Sequence, residues 1–518
     1  MDIMIEKGCQ PVKFNHHWKF CVGAPHALFG LRHDFTTQLS MVHRDLGIER
    51  VRFHGIFDDD MHTIIRANET LAMPFGGSYT EKSFRQCAAV YDNVLEAGMK
   101  PWVELSFMPK HLAKKRLFRT GTFFYKPIVC LPRKMKQWQE YVQSFVTFLI
   151  NRYGKEEVES WFFEVWNEPD IPWVFFFGKQ EDYFRLYTAT AEAVKSVDPD
   201  LKVGGPSTSG SRWIGEFLEY CKSTGSPLDF ISTHQYAGDP IAGLSHTESG
   251  VELKLDFFAG FKKRKELSHD NILDLYRAFI GTKDAVKGLQ KDAFTESAEH
   301  IRALIGDLPL YYTEWNMSAS FTAPQNDTSM QACYDLQTIF RSQKTVTGSS
   351  IWMFSDLFEE QHQFPEEFHG GFGMMTQSGI KKPTYHALQF LNEAGDDVLG
   401  IFSEGRVDVA VFQKDGEFHI IASSLDFEEK EHTDTVTVRI PADREMTAFV
   451  TGIGKDSANP LKEWQALGSP QVPTVAEIRS IRESSVPVTE KTASEYDGEW
   501  ITLRFSIGTN EIKRIILR

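Results

Sequence analysis

A (β/α)8 TIM barrel of the α/β class, followed by an antiparallel β-sandwich, is the architecture this sequence predicts. Three observations predict it. Through about residue 395, short apolar runs alternate with longer amphipathic segments, and the alternation repeats eight times. No GxGxxG follows any of the runs, which removes the usual mark of a doubly wound dinucleotide-binding sheet. After about residue 396 the texture changes to short β-rich runs separated by Asp, Gly and Asn.

The strand-like runs are Phe20–Ala24, Arg50–His54, Pro101–Phe107, Trp161–Trp166, Lys202–Gly205, Phe230–His234, Leu310–Thr313 and Ser350–Phe354. Helical periodicity lies between them, near 36–46, 83–97, 136–152, 181–197, 213–223, 292–305 and 329–345, with a last segment at 383–393. Strands that alternate with helices imply parallel βαβ units, and eight in succession imply a closed barrel. We therefore expect a barrel over 16–395 and a β-sandwich over 396–518. The latter is read from VDVAVFQ, FHIIASSL, DTVTVRI, MTAFVTG, WITLRFS and IKRIILR. The stretch VPTVAEIRSIRESSVPVTE reads as a helix and loop laid over that sheet, and residues 1–15 as a segment joining the sandwich. Segment 237–290 is longer than a normal barrel loop and is expected to form a lid or side wall. Its FKKRKE run reads as a solvated face.

Bulk properties narrow the function. A chain of 518 residues with 42% hydrophobic and 13% aromatic side chains is globular and large enough for more than one domain. The formal net charge of −15 argues against nucleic acid and anionic membranes as partners. The six cysteines are scattered with no CxxC, which points to buried free thiols in a reducing compartment. No secretory signal pattern and no membrane-length apolar run is present, so a cytoplasmic location is expected.

In such a barrel the chemistry sits at the C-terminal ends of the strands. Those ends carry Arg52-Phe53-His54, Asn167-Glu168, His234-Gln235-Tyr236, Thr313-Glu314-Trp315-Asn316, and Trp352 running on to Asp356 and Glu359-Glu360. Glu168 and Glu314, on strands four and seven, form a pair able to face each other across the mouth. Cleavage of a glycosidic bond needs such a pair. One carboxyl protonates the departing oxygen and the other attacks the anomeric carbon or activates water. Two close carboxylates also push their pKa values apart, keeping one protonated. Asn167 beside the acid suits a donor to a sugar 2-hydroxyl. His54 and His234 read equally as sugar ligands or as core histidines, Trp352 as a stacking floor or a barrel cap, and Tyr236 as a hydroxyl that positions a carboxylate. Glu359 and Glu360 cannot be separated as sugar acceptors. The aromatic run Trp173–Phe177 either walls the pocket or packs beneath it. EEQHQF and EEFHGGF lack zinc-ligand spacing, so no metal and no cofactor is expected.

WFFEVWNEPD, LPLYYTEWN, IWMFSDLFEE and FHGGFGMM, in this order, resemble glycoside hydrolase family 39, and within it the bacterial β-xylosidases. WKFCVGAPHALFGLRHDF, ERVRFHGIFDDDM, PWVELSFMPKHLA, LKVGGPSTSG and KKPTYHALQF extend the resemblance over about 15–395. It implies a retaining mechanism, with the acid/base on Glu168 and the nucleophile on Glu314. It also implies a terminal-sugar site around His54, Asn167, His234, Tyr236, Trp352 and Glu360, and a homo-oligomer, often a tetramer. Trp315 stands where the resemblance leads one to expect Tyr, and Asp170 where Asn is frequent. With the aromatic wall and the long loop, these departures are expected at the pocket rim. The activity so implied is that of an exo-acting retaining β-xylosidase on short xylo-oligosaccharides. The alternatives are a retaining glycosidase for an arabinoside, galactoside or plant xyloside, and a non-catalytic carbohydrate-binding barrel.

Overall fold

The computed structural model describes residues 1–66, 80–115, 119, 125–172, 174–241, 288–320, 322–358 and 364–518. Strands one to eight of a closed parallel barrel are Cys21–His26, Arg50–His54, Lys100–Glu104, Phe162–Glu164, Lys202–Thr208, Phe230–Tyr236, Leu310–Asn316 and Gly348–Ile351. Strand eight closes on strand one through Ser350 opposite Cys21. All eight runs read from the sequence fall on these strands. The ends differ by a few residues: strand five runs on to Thr208, and strand eight starts earlier and stops at Ile351. An apolar run marks burial, whereas a strand end is set by ladder hydrogen bonds, and the two need not coincide.

The helices between the strands follow the expected periodicity. The first, His33–Leu46, buries Phe35, Gln38, Leu39, Val42 and Leu46 against the barrel and stops at Gly47, whose left-handed conformation (φ 71°) suits a residue without Cβ. The seventh, Ser329–Ser342, is buried nearly all round. One side meets the barrel and the other meets the β-rich C-terminal part. There Arg341 grips Asp408 with two bonds of 2.7 Å, and Gln337 Nε2 donates to the Ser423 carbonyl.

Inside the barrel, residues two apart on each strand point the same way. Near the entry ends of the strands this gives an apolar plug of Phe20, Cys21, Trp102, Phe162, Phe230 and Tyr311, with Trp102 stacked on Phe162 at 4.9 Å. Two residues further on, the same strands present Glu104 and Glu164, directly opposite each other in register. The floor of the mouth is therefore charged, and it rests on aromatics.

C-terminal to the barrel, one sheet is ordered 489–492, 448–453, 511–517, 417–424, 407–414, 397–404 and 12–13; the other 2–4, 433–441, 500–508 and 495–496. Val407, Val409, Val411, Ile420, Val436, Val438, Ile440, Ile501 and Leu503 pack between them. Asp2–Met4 pairs parallel with Thr433–Pro441, a single parallel edge in an otherwise antiparallel pair of sheets. Helices occupy Pro460–Ala466 and Val475–Ser484. The six cysteines are free; Cys9 is only half-buried, unlike the five others. Among the described residues, no helix is long and apolar enough to cross a membrane.

The chain after strand eight is held by a buried ion cluster. Lys382 Nζ lies 2.6 Å from both Asp327 and Asp356, all fully enclosed. Asp356 in turn accepts from the Gly373 backbone N–H. A Cβ on Gly373 would overlap the backbone of Ser355, Asp356 and Met375. Gly373→Ala is expected to cost about 1–3 kcal/mol by overpacking, read as a lower denaturant midpoint with an unchanged m-value.

Candidate active site

Strand four delivers Glu168 by a sharp turn. Trp166 and Glu168 both take left-handed backbone angles (φ 73° and 40°), rare for side chains of this size and typical of functional sites. The turn is pinned on both sides: Trp166 Nε1 donates to the Phe175 carbonyl, and Glu168 N–H donates to the Ser207 carbonyl at the end of strand five. Glu168 is thereby directed into the mouth, where Oε1 lies 2.9 Å from His234 Nδ1. His234 Nε2 lies 3.2 Å from Ser207 Oγ.

Strand seven delivers Glu314. Its Oε1 accepts from Arg52 Nη1 at 2.7 Å, and its Oε2 accepts from the Tyr236 hydroxyl at 3.1 Å. Arg52 is fully buried and directs all three of its nitrogens into this layer. Nε donates to Glu164, while Nη2 reaches Asn167 Oδ1, Ser207 Oγ and Glu104. Burial opposes its charge, but Glu164, Glu104 and Glu314 outweigh that cost and hold its pKa above the ordinary value.

One oxygen each of Glu168 and Glu314, together with a ring nitrogen of His234, lie within 4.8 Å of one another. This matches the short spacing of a retaining pair (about 5–5.5 Å), not the ~6.5–9.5 Å that leaves room for an inverting water. Three such groups can in general hold a cation. Here the Arg52 guanidinium already sits on Glu314, so a metal would be repelled. The electrostatics also split the pair. Burial lifts the Glu168 pKa to about 7, against the pull of His54, Arg212 and Arg52, while Glu104 adds to the rise. The sequence-based expectation was repulsion between the two glutamates; the main cause in the structure is desolvation. Burial also depresses His234 to about 4, so its ring is neutral near pH 7. One nitrogen then donates and the other accepts, in an order that can switch with the protonation of Glu168.

A family model for glycosyl hydrolases family 39 matches residues 1–253 and 252–500. The chain belongs to glycosyl hydrolase family 39. It is 35% identical over 504 residues to a beta-xylosidase of Caldicellulosiruptor saccharolyticus (95% of this chain, 93% of that one), and 29% identical over 514 residues to a beta-xylosidase of Geobacillus stearothermophilus (97% and 93%). Among solved structures, a monomeric beta-xylosidase from Caulobacter crescentus superposes with a TM-score of 0.78 at 26% identity, covering 100% of this chain and 99% of that one. The protein is a glycoside hydrolase on a TIM barrel.

In this family 39 enzyme the sequence-predicted residues Glu168, Glu314, His54, Asn167, His234 and Tyr236 share one buried cluster. Asn167 Nδ2 is enclosed with no hydrogen-bond partner among the described residues, a donor that suits a ligand. Trp352 is buried beside His54, ring centroids 5.0 Å apart, and packs with Tyr236, Phe358 and Phe372. Glu359, Glu360, Trp173 and most of the long loop, 242–287, lie outside the described residues. The aromatic run divides: Phe175 stands 6.2 Å from His54, whereas Phe176 packs beneath, against Trp166 and Tyr183.

Two departures fall elsewhere than expected. Trp315 is not at the rim. The side chain after an inward Glu314 must point outward, and Trp315 is fully enclosed against Phe294 and Tyr334, with Nε1 donating to Ser349. Asp170 is also buried, accepting from Ser209 N–H and paired with Arg212 at 2.6 Å; its burial lifts its pKa to about 7. Sequence reading missed Arg52, Glu104 and Glu164 as the charged layer under the pair. The signal was present: an ionisable residue inside an apolar strand needs a buried partner.

Proposed function

We propose that this enzyme is an exo-acting retaining β-xylosidase that releases xylose from short xylo-oligosaccharides in the cytoplasm. The observation that carries the proposal is a buried carboxyl pair with opposite environments: Glu168 raised to about 7, and Glu314 held by Arg52 and Tyr236. In the first step Glu314 attacks the anomeric carbon while Glu168 protonates the leaving oxygen. The glycosidic bond breaks and a glycosyl ester forms. In the second step Glu168, now a carboxylate, takes a proton from water. The water oxygen attacks the same carbon and Glu314 is released. Asn167 Nδ2 donates to the sugar 2-hydroxyl, His54 and Glu360 bind other hydroxyls, and Trp352 floors the sugar. Tyr236 and Arg52 hold the nucleophile's two oxygens in line.

The pentose reading is supported by the two beta-xylosidase relatives, which cover nearly the whole chain. Residues 16–395 act as the catalytic unit, and 396–518 with 1–15 as its buttress. The tetramer implied by resemblance is not carried over, because the similar Caulobacter structure is described as monomeric.

The test is initial rates on nitrophenyl β-xyloside, α-arabinoside, β-galactoside and β-glucoside. The β-xyloside is expected to lead in kcat/KM; another leading sugar would remove the pentose assignment and leave the mechanism. A pH profile adds a second check. Glu168 must carry a proton to act as acid, and its raised pKa keeps it protonated up to about 7. The rate constant kcat/KM on a poor leaving group should therefore hold below about pH 7 and fall tenfold per unit above it.

A further inference from the structure

Glu104 plays no part in the two-step scheme, yet it is among the most completely enclosed carboxylates in the mouth, with no side-chain exposure. Its Oε2 lies 2.8 Å from His54 Nδ1 and 2.8 Å from Arg52 Nη2, and its Oε1 accepts from the Ser106 hydroxyl. Both oxygens are thus committed to fixed donors. Burial alone would favour the neutral acid, but His54, Arg52 and Ser106 reverse that and hold its pKa below the ordinary range. An ionised carboxylate is an acceptor only, so the facing nitrogen of His54 must be a donor. That fixes the proton on Nδ1 and leaves Nε2 for the pocket, 3.6 Å from Glu314 Oε1.

Three aromatic rings pack around the imidazole. Trp352 lies 5.0 Å from it between centroids, Phe107 6.1 Å and Phe175 6.2 Å. We propose that Glu104 is a positioning residue for glycoside cleavage that acts through His54, holding Nδ1 as donor so that Nε2 faces Glu314 and the sugar under attack. With the proton on Nδ1, Nε2 is the ring's acceptor, set to take a hydrogen bond from a hydroxyl of the sugar held at Glu314, while Arg52 is the donor on the Oε1 side. The inference rests on the reading of Glu314 as nucleophile.

A merely structural Glu104 would serve only to neutralise Arg52, which Glu164 and Glu314 also contact. The two roles separate in a double-mutant cycle. Glu104→Gln, His54→Asn and the double variant are assayed for kcat and KM on xylosides with a good and a poor leaving group. Melting temperatures and Glu314→Ala are measured in parallel. Glu104→Gln should lower kcat about 10–100-fold, the usual effect of losing a partner that fixes a ring's tautomer. KM should move by less than about threefold, and the loss should be the same for both leaving groups, because the defect lies at the sugar under attack and not at the departing oxygen. The double variant should be no slower than His54→Asn alone within about twofold, because Glu104 has then lost the group it acts through. Losses that multiply, or a Glu104→Gln variant with normal kcat and only a lower melting temperature, would overturn the proposal. Should the Gln variant not fold, Glu104→Asp, which keeps the buried charge but shortens the reach of the oxygen that meets both His54 and Arg52, carries the same test against His54→Asn. An active Glu314→Ala would instead remove the reading of Glu314, which is a distinct result.

Discussion

Replacing Glu314 by Ala is expected to lower kcat on aryl β-xylosides by about 10⁴–10⁶-fold, the scale on which removing a covalent nucleophile acts. The structure gives the reason for so large an effect. Arg52 and Tyr236 hold the two carboxylate oxygens in place for the attack, and the variant loses the attacking group itself. Glu104 and Glu164 are themselves locked into the Arg52 layer. The variant leaves a small cavity beside a buried guanidinium, a site suited to a small anion. Added azide should therefore restore turnover, with formation of the α-glycosyl azide, because the azide attacks from the face that Glu314 vacated. Mass and NMR analysis of the product checks both the loss and the stereochemistry. Near-normal hydrolysis without azide would contradict the assignment.

Glu168→Ala is expected to act selectively. Its loss should reach about 10²–10⁴-fold on xylobiose, whose leaving alcohol needs a proton. On 2,4-dinitrophenyl xyloside the first step needs no acid and should stay close to normal. The second step then lacks its base, so the glycosyl-enzyme should accumulate, giving a burst of dinitrophenol with low kcat and low KM. The fall in rate above pH 7 should vanish, since it belongs to the Glu168 proton. Equal losses on both substrates would place the acid elsewhere.

The barrel was legible because eight apolar runs and eight amphipathic segments each answer to a simple periodicity, and the structure returns all eight strands at those places. Glu168 and Glu314 were legible because each sits where a buried strand gives way to polar residues. The layer beneath them was harder to read. Arg52, Glu104 and Glu164 lie within strands that look apolar, and only three-dimensional closure shows that one guanidinium meets three carboxylates. Trp315 misled for a related reason. Proximity in sequence to Glu314 suggested the pocket, but the two-residue period of a strand turns it to the helices outside. The cause of the high Glu168 pKa also escaped sequence reading, because desolvation depends on packing that no local motif encodes.

The central claim is that Glu314 forms a covalent bond to the sugar. The most direct measurement is to inactivate the enzyme with a 2-deoxy-2-fluoro-xylosyl fluoride, digest it, and locate the label by mass spectrometry. The account predicts one fluoroxylosyl group per chain, on the peptide containing Tyr311-Tyr312-Thr313-Glu314 and attached to Glu314. A label on Glu168, Glu104 or any other carboxylate would contradict it.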